Sequence, residues 1–357
     1  MSPRSARRVR HILVVGAGAF GGWTALYLLR GGARVTLVDA WGPGNSRSSS
    51  GGDTRVIRAG YGSDRLYVSL VARALRLWRQ HERQWHRRFL YPIGVLWMIG
   101  DHDRYARATI PAVREAGLPI EDLSARDAAK RYPQIDFSGV RWALFEPDAG
   151  YLTARLACEA VLDGFLAEGG EFRQTMVRIE TRGSRVSGVV ASEGSLLSAD
   201  EFIFAGGPWL RTLLPSGLGK WVQPTRQEVF YFGSPAGDRR FDEEHLPAWI
   251  DHGKSLLYGI PGNRWRGFKV ADDTRGPDFD PTHADRLTST KELSAARAYL
   301  SRRFPALKGA PLLEAHVCQY ENSPDGHYLI DRLPGLENAW VVGGGSGHGF
   351  KMGPALG

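Results

Sequence analysis

His11-Ile-Leu-Val-Val15 runs directly into Gly16-Ala-Gly18-Ala-Phe-Gly21, and an acid, Asp39, closes the segment. The pattern reads as an apolar strand, a glycine turn, a helix from Gly22 to Arg30 and a second strand from Arg34 to Val38. Gly16 makes the tight turn, Gly18 lets backbone approach a pyrophosphate, and Gly21 lets helix and strand pack closely. The turn residues Ala19 and Phe20 lead into a helix N-terminus, whose free N–H groups and positive dipole end suit phosphates. Asp39, with Ala40 beside it, is placed to accept hydrogen bonds from a ribose diol. A glycine motif alone says little. With a strand before it, a helix after it and an acid downstream, it predicts a dinucleotide site.

A length of 357 residues suits two domains, and 43% hydrophobic with 24% charged residues is ordinary for a globular chain. The net charge of +8 comes from arginines scattered along the sequence, with no basic stripe that would make a nucleic-acid face. No window is apolar for long enough to span a membrane. The two cysteines, Cys158 and Cys318, cannot form a disulfide framework and point to a reducing compartment. Arg7-Arg8 before an apolar stretch resembles an export signal, but cleavage there would discard the turn that gives Asp39 its purpose. The expectation is a cytoplasmic protein with a basic arm over residues 1–10.

Further along, Tyr67 to Trp85 reads as an amphipathic helix with Leu70, Ala74, Leu77 and Trp78 at helical spacing. Ser124 is placed to cap a short helix ended by Pro133, and Thr153 to cap a longer one reaching Gly169. Cys158 falls among Leu156, Val161 and Leu162 as a buried small side chain. Strands are expected at Phe172 to Ile179 and Val186 to Ala191. Phe202-Ile-Phe-Ala-Gly-Gly207-Pro-Trp209 is another apolar strand ending in a glycine turn, a second approach to a long nucleotide. From Trp221 to Lys269 the pattern is β-like, Leu293 to Phe304 is helical, and Gly343 to Gly353 is glycine-rich. The reading is an α/β chain with an α+β second domain: a Rossmann-type dinucleotide domain (1–88, 146–222, 312–357) and an inserted mixed-sheet domain (89–145, 223–311).

Five further segments carry a resemblance: Gly52-Asp-Thr-Arg55-Val-Ile-Arg58, Phe145-Glu-Pro-Asp-Ala-Gly-Tyr151, Gly267-Phe-Lys269, Cys318-Gln-Tyr320 and Ser346-Gly-His-Gly-Phe-Lys351. Together they resemble the amine-oxidising flavoprotein family that includes monomeric sarcosine oxidase and N-methyltryptophan oxidase. The resemblance implies FAD as the nucleotide and oxidation of a small carboxylated amine, with O2 as acceptor and a monomeric protein. It departs from the family where Asp273 stands in place of a histidine and where Ser50-Gly51 replace a histidine pair, and the chain ends six residues after Lys351.

By the same resemblance, the cofactor contacts are Gly16, Gly18, Ala19, Phe20, Gly21, Asp39, Ala40, Ser49, Ser50, Arg55, Val177, Gly207, Trp209, Cys318, Gly347, His348, Gly349 and Lys351. Cys318 is implied to bond covalently to the flavin 8α-methyl group. Arg58 and Lys351 map onto the cations that hold the substrate carboxylate, Lys269 onto the lysine that activates oxygen, and Arg55 onto the arginine supporting the reduced ring. His348 falls near the flavin edge and Tyr258 along the substrate pocket. The chemistry fits the residue types: a fork of cations binds a carboxylate, and a buried ammonium stabilises charge developing on O2. Plainer readings stand beside these: a surface ion pair for Arg58, a solvent-facing strand lysine for Lys269, a half-buried strand aromatic for Tyr258. An FAD dehydrogenase with another electron acceptor, a nicotinamide-dependent oxidoreductase and a non-catalytic flavin-binding protein are the competing functions.

Overall fold

In the computed structural model, which describes residues 8–357 apart from 102, 215, 216, 218, 254, 255, 264 and 265, the chain divides into two units. The first comprises residues 1–53, 154–224 and 320–357, the second 54–153 and 225–319.

The first unit is built on His11–Val15, which pairs in parallel with Arg34–Asp39 on one side and Glu201–Phe204 on the other. Ala339–Gly343 and Glu171–Gln174 add parallel strands outside these, and Leu329–Arg332 pairs antiparallel at the edge to complete six. Leu13 and Val14 are wholly buried, as expected for the middle of a parallel sheet covered on both faces. One face packs Leu13, Val15, Phe202, Phe204 and Val341 into a core. Helices Ala19–Arg30 and Ala154–Ala167 pack on each other, and Gly22 keeps Val161 within contact distance.

The second unit has an eight-stranded mixed sheet containing Val95–Ile99, Ala248–His252, Leu256–Ile260, Phe268–Asp272 and Gln223–Phe232. Val95–Ile99 runs parallel to Ala248–His252, which is antiparallel to Leu256–Ile260. Trp249, Phe268, Tyr299 and Phe304 stack in its core. A smaller sheet joins Thr54–Ile57 and Leu90–Tyr91 to opposite sides of Gly150–Thr153. The helix Arg65–Trp85 begins on Asp64, whose carboxylate accepts from the Leu66 and Tyr67 N–H groups.

Several expectations are corrected. Residues 54–88, 146–153 and 312–319 belong to the second unit, because Thr54–Ile57 and Gly150–Thr153 pair with each other in the small sheet. The expected strand Phe172 to Ile179 is two strands in different sheets, parted where Thr175 N–H turns to bond Asp39 O. Thr153 Oγ1 is buried with no hydrogen-bond partner among the described residues; Ala154 N–H is satisfied instead by Asp53 O. The buried stripe of the long helix runs through Tyr67, Val71, Ala74, Leu75 and Trp78, leaving Leu70 and Leu77 half-exposed. A helix over Arg104–Glu115, unread in the sequence because Pro111 lies inside it, buries Ala106, Thr109, Ala112 and Val113.

Candidate active site

In the first unit the glycine turn has the predicted form. Gly16 sits at φ +107°, and a β-carbon there would lie 2.3 Å from Ala205 O. At Gly21 it would lie 1.8 Å from Gly16 O. Gly18 differs: a β-carbon would meet only Ser50 Oγ, at 3.8 Å. Two of the glycines are therefore demanded by the chain's own packing, whereas Gly18 faces open space. That space is a cradle, and it fits a dinucleotide pyrophosphate at the N-terminus of Ala19–Arg30. Ser50 is buried and its Oγ accepts from Ala19 N–H at 3.3 Å; Ser49 and Ala40 lie in the same 40–53 loop.

Asp39 is more occupied than the sequence implies. Its Oδ2 accepts from Ala17 N–H at 2.8 Å, and Oδ1 accepts from Trp41 and Gly42 at 2.9 and 2.8 Å. Burial raises its pKa while these three N–H groups lower it. A carboxylate oxygen accepts about two hydrogen bonds, so Oδ2 keeps capacity for a ribose hydroxyl. Gly207 is at φ +57° and opens a 3-10 turn to Trp209, whose ring meets Trp41 at 4.9 Å. Val177 starts a strand of the separate three-stranded sheet and lies against the unit's core.

The terminal glycine segment folds tightly in the same unit. Gly347 is at φ +79°, with Tyr320's ring 2.7 Å from where a β-carbon would be, and Gly349 is pressed against Phe20 in the same way. His348 Nε2 lies 3.1 Å from Gly326 O, and a carbonyl only accepts, so Nε2 carries the proton. Nδ1 lies 3.0 Å from Tyr328 Oη, whose hydroxyl donates to His348 O at 3.2 Å. Lys351 is buried and donates from Nζ to His348 O at 2.8 Å.

In the second unit, two cations converge on one carbonyl. Arg55 Nη1 and Lys269 Nζ both donate to Thr54 O, at 2.8 and 3.0 Å. Arg55 also reaches Cys318 Sγ at 3.7 Å, and Lys269 lies 5.5 Å from the centre of Tyr258's ring. Lys269 is 2% exposed, which removes the solvent-facing reading. Its strand is close to its neighbour because Gly259 has no side chain; a β-carbon there would lie 2.2 Å from Lys269 O. Tyr258 and Cys318 are partly buried on a small cluster of Val229, Tyr231 and Ala271.

Arg58 lies in the same unit, its guanidinium 4.8 Å from the Tyr61 ring centre and 4.9 Å from that of Trp97, with Nη1 donating to Gly60 O. Burial works against its charge and is outweighed by Tyr105, Tyr61, Glu146 and Asp273, which together raise its pKa. Arg58 is therefore no surface ion pair. Glu146, unmarked in the sequence reading, organises this corner: it accepts from Ala59 and Gly60 N–H at 2.6 and 3.2 Å and from Trp97 Nε1 at 2.8 Å. Its only sequence signal was membership of the Phe145–Tyr151 segment. No group of metal-ligating side chains exists among the described residues, and no described helix is long and apolar enough to cross a membrane.

Residues 11–357 match the family described as FAD dependent oxidoreductase. The chain belongs to that family. Within reach of this FAD dependent oxidoreductase are monomeric sarcosine oxidase of Bacillus sp. (strain B-0618), 30% identical over 97% of this chain and 90% of the relative, and N-methyl-L-tryptophan oxidase of Yersinia pestis (strain Pestoides F), 29% identical over 97% and 92%. Among solved structures, L-proline dehydrogenase from P. horikoshii superposes with a TM-score of 0.82 at 21% identity, covering 98% of this chain and 92% of that one. That last likeness concerns the fold. The FAD oxidoreductase family supplies the cofactor; the cradle at Gly18 and the helix behind it fit it.

Proposed function

We propose that the protein oxidises a secondary or N-alkyl amino acid, taking two electrons and two protons from the CH–NH unit to give an imine, and passes them to O2 to give H2O2. Bound FAD would supply the hydride acceptance and the return of electrons to oxygen, which no side chain can perform. What the chain's own residues do is hold charge. The carrying observation is the buried Lys269 ammonium, which shares the Thr54 carbonyl with Arg55. In a low-dielectric setting such a fixed cation stabilises negative charge appearing on oxygen without reorganisation.

Arg58 and Lys351 are the cations assigned to the substrate carboxylate. Arg58 keeps a planar fork aligned between Tyr61 and Trp97, and Lys351 is held by its bond to His348 O. The sarcosine and N-methyltryptophan oxidase relatives support an amine of this class. A monomer, a cytoplasmic location and a covalent bond from Cys318 to the flavin are parts of the same proposal. Acid precipitation tests the bond: a yellow pellet supports it, and a colourless pellet under a yellow supernatant removes it.

Lys269→Met tests the central role. Reoxidation by O2 should slow by about 100-fold or more in stopped-flow absorbance, while anaerobic reduction by substrate changes far less. Equal losses in both half-reactions would refute the assignment. Absence of peroxide in air, with turnover intact on an artificial acceptor, would make the protein a dehydrogenase.

A further inference from the structure

Glu321 lies in the first unit, just past Cys318-Gln-Tyr320, and neither the motif nor the mechanism above uses it. Its Oε1 accepts from Gly345 N–H at 3.2 Å. Its Oε2 is shut off from water and has no hydrogen-bond partner among the described residues. Around this carboxyl the chain is glycine on two sides. A β-carbon on Gly207 or Gly343 would come 3.5 or 3.6 Å from Oε2, and one on Gly345 would come 3.0 Å from Oε1. The carboxyl thus stands between the turn that follows Glu201–Phe204 and the turn that follows Ala339–Gly343. Both turns leave the carboxyl ends of parallel neighbours in the dinucleotide sheet, which is where ligands enter such sheets.

A buried carboxyl oxygen without a partner is costly to leave that way, and the described residues offer it nothing. We infer that Glu321 is a ligand of the dinucleotide, donating a proton from Oε2 to an oxygen of the cofactor held between these two glycine turns. The inference rests on FAD being the cofactor. The protonated state follows from the setting. Burial lifts the Glu321 carboxyl to about 7, opposed only by the Gly345 N–H. The titratable or charged groups on the surrounding segments are Tyr320 on its own strand, Asp325 and His327 in the loop beyond, His348 and Lys351 on the terminal turn, and Arg211 after the other turn. Lys351 is bonded to His348 O, and the His348 ring to Tyr328 and Gly326. An ionised acid would also repel the cofactor's own anionic pyrophosphate, whereas a neutral one can donate to an oxygen.

The test is binding, not turnover. Apoprotein from riboflavin-starved cells, in a Cys318→Ser background so that covalent capture cannot mask dissociation, is titrated with FAD by flavin fluorescence from pH 6 to pH 9. A ligand that needs the acid protonated loses affinity by about tenfold per pH unit above the carboxyl's value. Glu321→Gln, which keeps a neutral donor, should bind FAD with the low-pH affinity throughout. Glu321→Ala should bind at least about tenfold more weakly at pH 6, the loss of one buried hydrogen bond. A pH slope that persists in Glu321→Gln would belong to His348 or another group and would overturn the inference. So would a flat parent curve with Glu321→Ala binding as the parent does. A folded parent that takes up no FAD at any pH would instead sink the FAD reading itself.

Discussion

At Arg58 the side chain's surroundings matter as much as its charge. The half-buried side chain holds its guanidinium against two aromatic rings, and Glu146 fixes the local backbone by accepting from Ala59 and Gly60. An arginine aligned in this way presents its donors as a preformed fork, so little rotamer freedom is lost when a carboxylate binds. Arg58→Ala and Lys351→Ala should each raise KM for a carboxylated amine by about tenfold or more, the worth of a charge-assisted hydrogen bond, and change KM for the same amine without its acid group much less. Steady-state kinetics on the matched pair decides it; equal changes on both would refute a carboxylate role. The cations were legible in the sequence because they sit in recognisable segments. Glu146 sits in such a segment without its role being marked there, and Glu321 lies just outside one. What marks them is burial and the direction of neighbouring N–H groups, and neither leaves a trace in residue order. His348, flanked by glycines, has both ring nitrogens within hydrogen-bond reach of first-unit groups, Tyr328 Oη and Gly326 O.

The glycine turn separates packing from binding at the scale of one element. Gly16 needs its positive φ, and its β-carbon would strike Ala205 O, while Gly21 would strike Gly16 O. Neither obstacle is a flexible side chain. Alanine at either position should therefore destabilise the fold by about 2 kcal/mol or more, read as a lower Tm of the apoprotein. Gly18 has φ −73° and no near neighbour except Ser50 Oγ. Gly18→Ala should leave the apoprotein's Tm within about 2 °C, corresponding to a surface-like change of a few tenths of a kcal/mol, yet weaken FAD binding. If Gly18→Ala lost stability as the other two do, the cradle would be part of the core and not a binding surface. This turn was readable because its spacing encodes its geometry. The break at Thr175 was not readable, since two strands in different sheets share one run of extended sequence. The unit boundary after Asp53 was missed for a similar reason: Thr54–Ile57 finds its partner at Gly150–Thr153, far along the chain.

For the molecule as a whole, the buried acids set how stability responds to pH. Burial raises Glu321, Asp39 and Glu146, whereas the lowered acids, among them Asp127, Asp238 and Asp280, lie at the surface and respond below the ordinary carboxylate range. Glu321 has a folded value of about 7 against an ordinary 4.5. Between those limits the native chain keeps a proton that the unfolded chain releases, so stability falls as pH rises and levels off above the folded value. The difference corresponds to about 3 kcal/mol for this one group. Apoprotein should thus unfold at a lower temperature at pH 8 than at pH 5.5, and Glu321→Gln should raise Tm at pH 8 while changing it little at pH 5.5. FAD that takes the Glu321 proton as a hydrogen bond would hold that proton in place and extend the stable range to higher pH. Calorimetry with and without FAD across pH 5.5 to 8.5 measures both effects. Tm curves for parent and Glu321→Gln that run parallel over the whole range would show that the carboxyl stays ionised, and that the charge at the heart of the dinucleotide unit is neutralised by some other group.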